Sequence, residues 1–123
     1  VVNAALVSEE PIPLSPSTLR QLRRRLSAER VAQLELAVAL EEATAPGAAA
    51  TVEWELDTVL AARVRETLRD IVAALDRIDA GTYGWCESCG RRLSLDRLEA
   101  VPSTRWCVTC STVHRPLRRR AST

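Results

Sequence analysis

Four cysteines carry the clearest chemistry in this 123-residue sequence. Cys86-Glu-Ser-Cys89 and Cys107-Val-Thr-Cys110 are two C-x-x-C pairs with seventeen residues between them. That spacing belongs to a tetrahedral zinc site, because each C-x-x-C turn offers two sulfurs to one ion and two turns complete the shell. Thiolates are soft ligands that suit zinc, and four of them leave no coordination position for water, so the ion is expected to be structural rather than catalytic. A disulfide framework or a redox-active pair would use the same residue type. The N-terminus shows no basic region followed by a long apolar run, and two equivalent pairs at metal spacing do not resemble a single redox motif.

The residues around the pairs fit a small metal module. Gly90 directly follows the first pair, where a missing β-carbon lets the backbone turn and aim amides at sulfur. Leu93, Leu95, Leu98 and Val101 are expected to pack with Trp85 and Trp106 around the ion, since so short a segment has little core of its own. His114, four residues after Cys110, is expected at the surface or as a cap on a short terminal helix, not as a ligand.

Such a module needs elements to stand on, and the preceding sequence supplies two helices. From about Ser17 to Ala43 there is no Gly or Pro, and Leu19, Leu22, Leu26, Val31, Leu34 and Val38 recur at helical spacing. Ser15 with Pro16 in the first helical position, or Ser17, can cap this segment. Pro46 and Gly47 then interrupt it. A second helix is expected from about Val52, capped by Thr51, to Ala80, with Gly81 as a left-handed stop. Its Ala61, Val64, Leu68, Ile71, Leu75 and Ile78 advance by 3, 4, 3, 4 and 3 residues, the seam spacing of a coiled coil. Two helices of similar length joined by a short connection pack antiparallel.

The expected fold is therefore mainly α: a long antiparallel helical hairpin, or coiled coil, plus a small four-cysteine zinc-finger module and a short C-terminal helix. The corresponding divisions are a flexible arm at 1–16, the hairpin at 17–80 with its tip loop at 43–51, the metal module at 81–116, and a basic tail at 117–123. The seam alone fits either an intramolecular hairpin or a bundle of two copies. Oligomeric state stays open, with a monomer favoured.

Bulk composition narrows the function. A formal net charge of +1 supplies no global field that would draw the chain onto nucleic acid or an anionic membrane. All 17 basic residues are Arg, clustered in Arg20–Arg25, at Arg91 and Arg92, and in Arg118–Arg120. No apolar run approaches the roughly 20 residues that span a bilayer. There is no open metal position, no nucleophile paired with a base and no glycine-rich phosphate loop, so an enzyme is not expected.

The run Tyr83-Gly84-x-Cys86-x-x-Cys89-Gly90, then Arg97-Leu98-x-Ala100-x-Pro102, then Cys107-Val108-x-Cys110, resembles the DksA/TraR family of C4 zinc-finger proteins. The long hairpin before it resembles the full-length DksA architecture rather than the short TraR form. The resemblance implies a cytoplasmic bacterial regulator that binds RNA polymerase. It implies insertion of the coiled coil into the polymerase secondary channel, and an effect on promoter complexes without sequence-specific DNA contact. A rod roughly 40 Å long is a suitable shape for that task. Arg63 and Arg65 on the second helix and Arg97 in the metal module are candidate polymerase contacts through charge-assisted bonds to carboxylates.

Two departures from the family bear on mechanism. DksA carries Asp-x-x-Asp-x-Ala at its tip, whereas the corresponding window here is Ala43-Thr44-Ala45-Pro46-Gly47-Ala48. Glu41, Glu42, Glu53 and Glu55 flank the loop and are candidates for displaced negative charge. The basic positions with which DksA binds guanosine tetraphosphate fall, counting from the cysteines, on Asp70, Val101 and Ser111. A phosphate-rich ligand needs Arg or Lys, so a weak or absent response is expected.

Two other readings use the same features. A zinc-finger coiled-coil adaptor would recruit a protein or self-associate through its seam. A nucleic-acid binder would use Arg91, Arg92 and the Arg118–Arg120 tail, but it lacks interleaved aromatic residues.

Overall fold

The computed structural model describes residues 13–45 and 51–114. Residues 1–12 of the expected arm at 1–16, residues 46–50 of the tip loop expected at 43–51, the last two residues of the metal module expected at 81–116, and the whole basic tail at 117–123 lie outside the described residues. Helix α1 runs Pro16–Ala43, α2 runs Val52–Ala80, α3 runs Leu95–Ala100 and α4 runs Val108–His114. Among the described residues, no helix is long and apolar enough to cross a membrane.

Local chemistry sets the ends of the two long helices. Ser15 Oγ accepts from the Thr18 amide at 3.1 Å, with Pro16 opening α1. Thr51 Oγ1 accepts from the Trp54 amide at 3.1 Å, and Glu53 and Glu55 place negative charge in the first turn of α2, where the helix dipole favours it. Gly81 closes α2 at φ 77°, while the amides of Gly81 and Thr82 donate to the carbonyls of Ile78 and Arg77. This paired return to the last turn is a Schellman motif, and it requires the left-handed conformation that glycine adopts without strain.

The 28 and 29 residues of α1 and α2 make arms of about 40 Å. Leu22 and Leu26 near the start of α1 meet Ile71 and Ala74 late in α2. Leu40 near the end of α1 meets Ala61 and Val64 earlier in α2. This crossed order is that of an antiparallel pair.

Burial is more selective than the periodicity of α1 suggests. Val31, Leu34 and Val38 are 56%, 44% and 55% exposed and take no part in the hairpin core. One partner helix covers one stripe, and these three lie on a different face of α1. The base is the better-packed end, where Leu22, Leu26, Ile71 and Ala74 form one cluster with Tyr83, Cys86, Leu93 and Leu98 of the metal module. Hairpin and module share a core.

Candidate metal centre

The two C-x-x-C turns reach one point from different structures. The first lies in a narrow ribbon, pinned by an antiparallel bridge between Trp85 and Arg92. Within it the Cys86 amide donates to the Arg91 carbonyl at 2.8 Å, and the Gly90 amide donates to the Cys86 carbonyl at 2.9 Å, with Gly90 at φ 76°. The second turn opens α4: Cys107 precedes the helix, Cys110 lies in it, and the Ser111 amide donates to the Cys107 carbonyl at 2.9 Å.

The sulfurs of Cys86, Cys89, Cys107 and Cys110 all lie within 4.8 Å of one another, and those of Cys89 and Cys107 are 4.0 Å apart. A tetrahedral zinc with sulfur at about 2.3 Å has sulfur–sulfur edges of about 3.8 Å, so the cluster already approximates the shell that such an ion occupies. The amides of Cys107 and Cys110 donate to Cys86 Sγ and Cys107 Sγ, each at 3.4 Å. Donors aimed at sulfur stabilise thiolate charge.

The thiols are unequal. Burial disfavours ionisation of Cys86, but the amides of Cys89, Cys107 and Ser88 outweigh it and push that thiol down. A side-chain hydrogen bond with Cys107, aided by burial, pushes Cys110 up. Four thiols this close cannot all ionise without a cation to offset their repulsion, which is the donor set a divalent metal fits.

The surrounding packing corrects part of the sequence reading. Leu93 and Leu98 are buried, as expected, but Leu95 and Val101 are exposed, and Trp85 faces outward. The Arg92 guanidinium lies 4.1 Å from the centre of the Trp85 ring, a cation–π contact that gives this exposed aromatic a partner. His114 does more than occupy the surface: its ring stacks on Trp106 at 4.3 Å with planes 10° apart.

Arg97, expected as a partner contact, is turned inward. Its Nε donates to the Trp106 carbonyl and its guanidinium to Thr104 Oγ1, each at 3.2 Å, bracing α3 against the second cysteine turn. Arg63 and Arg65 are exposed on α2, but two residues turn a helix by about 200°, so they occupy opposite flanks and not one surface. Glu41, Glu42, Glu53 and Glu55 are exposed at the hairpin end far from the metal centre. Asp70 is engaged by Arg105, and the Ser111 hydroxyl donates to the Val108 carbonyl.

A polar clamp joining module to hairpin was not legible beforehand. Arg105 Nε meets Asp70 Oδ1 at 3.1 Å, and its guanidinium lies 3.8 Å from Glu87. Arg77 reaches Glu87 at 3.4 Å and the Thr104 carbonyl at 3.2 Å. Arg25 donates to the Glu99 carbonyl, and Arg23 pairs with Asp79 across the hairpin.

The profile of the prokaryotic dksA/traR C4-type zinc finger matches residues 81–115, the metal module. The solution structure of a DnaK suppressor protein from Agrobacterium tumefaciens is 32% identical, covers 76% of this chain and 91% of its own, and superposes with a TM-score of 0.54. The chain belongs to the DksA/TraR family. Transcription factor DksA2 from Pseudomonas aeruginosa shares the fold at 22% identity, with a TM-score of 0.66 over 85% of this chain and 88% of that one. The RNA polymerase-binding transcription factor DksA of Haemophilus influenzae is 36% identical over 70 residues, 55% of this chain and 48% of its own length. The chain spans less than half the length of the curated relatives it matches. In this family the four-cysteine module holds one structural zinc ion, and the clustered sulfurs found here are that module's donor set.

Proposed function

We propose that this protein is a regulator of transcription that binds bacterial RNA polymerase, with zinc confined to holding the base of the hairpin. The carrying observation is the joint core of Leu22, Leu26, Ile71, Cys86 and Leu98, which fuses the four-cysteine module to the foot of a rod about 40 Å long. A narrow rod stiffened at one end can enter a channel that a globular domain cannot. The curated relatives named as RNA polymerase-binding transcription factors support this reading.

In this proposal the rod enters the secondary channel in the cytoplasm and reads no DNA sequence. Arg63 and Arg65 engage acidic groups from opposite flanks of α2, while Arg97 acts indirectly by bracing the module. Glu41, Glu42, Glu53 and Glu55 supply the negative charge near the tip. Guanosine tetraphosphate has little effect, because Asp70, Val101 and Ser111 offer no cation at the three positions concerned, and the Asp70 carboxylate is already paired with Arg105.

The test is binding of the full chain to core RNA polymerase in competition with an established secondary-channel factor. Displacement by that factor is the expected result. Failure to bind, or binding unaffected by the competitor, would overturn the proposal. In a transcription assay, a clear dependence on guanosine tetraphosphate would contradict the alarmone prediction alone.

A further inference from the structure

The exposed aliphatic residues of α1 belong to an ordered second seam. Ser27, Val31, Leu34 and Val38 advance by 4, 3 and 4 residues along a face that α2 leaves exposed, with Leu34 at its edge bordering the groove that Leu68, Arg69 and Val72 of α2 also line. This is heptad spacing, the pattern that packs one helix against another. The intramolecular seam, built on Leu22, Leu26 and Leu40, is already occupied by α2.

The second seam is self-complementary. Arg24 and Glu41 extend it by three residues at either end, and both side chains are exposed. A two-fold axis through the point midway between Ala32 and Gln33 brings Val31 onto Leu34 of a second copy. The same axis brings Val38 onto the small side chain of Ser27 and Arg24 onto Glu41. The two central layers are aliphatic on both sides, the next pair is thinner, and each end is closed by opposite charges. Parallel pairing would instead set arginine against arginine and glutamate against glutamate.

We propose that two copies of this chain associate through these faces of their α1 helices, antiparallel and centred between Ala32 and Gln33. The charge pattern and register select a second copy as occupant, because the face complements itself without any other sequence. Two aliphatic layers flanked by two thin ones make a small interface, so pairing at roughly 100 μM is expected. The monomer favoured by the sequence reading is then the dilute form. Pairing through α1 hides Glu41 and doubles the width of the rod, so a dimer and a rod inserted in polymerase exclude one another. That last consequence rests on the proposed function, whereas the pairing does not.

The experiment is sedimentation of the full zinc-loaded chain across a concentration series reaching about 1 mM, without polymerase. The wild type should pass from monomer to dimer. Arg24→Glu and Glu41→Arg should each weaken the dimer roughly tenfold, because each replaces two opposite-charge contacts with like-charge ones. Equimolar mixing of these two variants should restore pairing as a heterodimer, with the introduced glutamate of one chain facing the introduced arginine of the other. Ser27→Leu should tighten the dimer at least about tenfold, since it fills both thin layers against Val38. Leu34→Glu should abolish association in any mixture. Circular dichroism and zinc content should be unchanged, since all four positions are exposed, and they verify folding. A wild type monomeric at every concentration would overturn the proposal. So would a dimer indifferent to these substitutions, or charge variants that fail to pair when mixed.

Discussion

Arg105, two residues before the third cysteine, places its Nε 3.1 Å from Oδ1 of Asp70, 35 residues earlier on α2. Their side chains are 29% and 18% exposed, so the pair is partly withdrawn from water. It ties the segment before the third cysteine directly to α2. Replacing Asp70 with Ala leaves a half-buried guanidinium with only the more distant Glu87, and should cost about 1 to 2 kcal/mol of unfolding free energy. Urea titration of the zinc-loaded protein measures it. An Asp70→Ala, Arg105→Ala cycle should show a coupling that either single change removes.

Metal removal should act mainly at the base. Chelation, or Cys110→Ser, should release the ion and loosen the module, altering fluorescence from Trp85 and Trp106. Because Cys86 and Leu98 share a core with Leu22 and Ile71, part of the helical circular dichroism should be lost as well. Unchanged fluorescence and dichroism after verified zinc loss would show that the shared core stands without the ion.

Tyr83 is the sole tyrosine, so its ionisation can be followed alone by difference absorbance. Burial, only partly offset by Arg77 and Arg25, pushes its phenol up to about 12. Its hydroxyl donates to the Pro102 carbonyl at 2.7 Å. A folded-state value above the unfolded one means the native state holds the proton more tightly. The contribution is therefore complete below about pH 10 and lost as pH rises towards 12. A midpoint in the native protein near 10 would contradict this placement. Tyr83→Phe leaves the carbonyl unpaired and should cost about 1 to 2 kcal/mol.

Gly81→Ala isolates a backbone effect. An added β-carbon at this site meets nothing within 4 Å, yet φ is 77°. The substitution should destabilise by roughly 1 kcal/mol through conformational strain alone. Thermal denaturation followed by helical dichroism measures that cost, and Gly81→Asn should recover part of it, because asparagine tolerates the left-handed region better than alanine.

Sequence by itself determined the features whose causes are local. A C-x-x-C turn presents two sulfurs whatever surrounds it. Thr51 and Gly81 delimit α2 through hydrogen bonds that span only a few residues, and the same local chemistry narrowed the α1 cap to Ser15 or Ser17, between which the structure chose Ser15. The 3-4 spacing of α2 aims Ala61, Val64 and Ile71 along one stripe. Only the tertiary structure decided matters that depend on what lies opposite. It turned Arg97 inward, placed Arg105 against Asp70, buried Leu98 while exposing Leu95, and left Val31, Leu34 and Val38 outside the core. A helical pattern states which residues share a face, but burial requires a partner surface. With α2 covering a single stripe of α1, packing had to choose between two apolar stripes that look alike in one dimension.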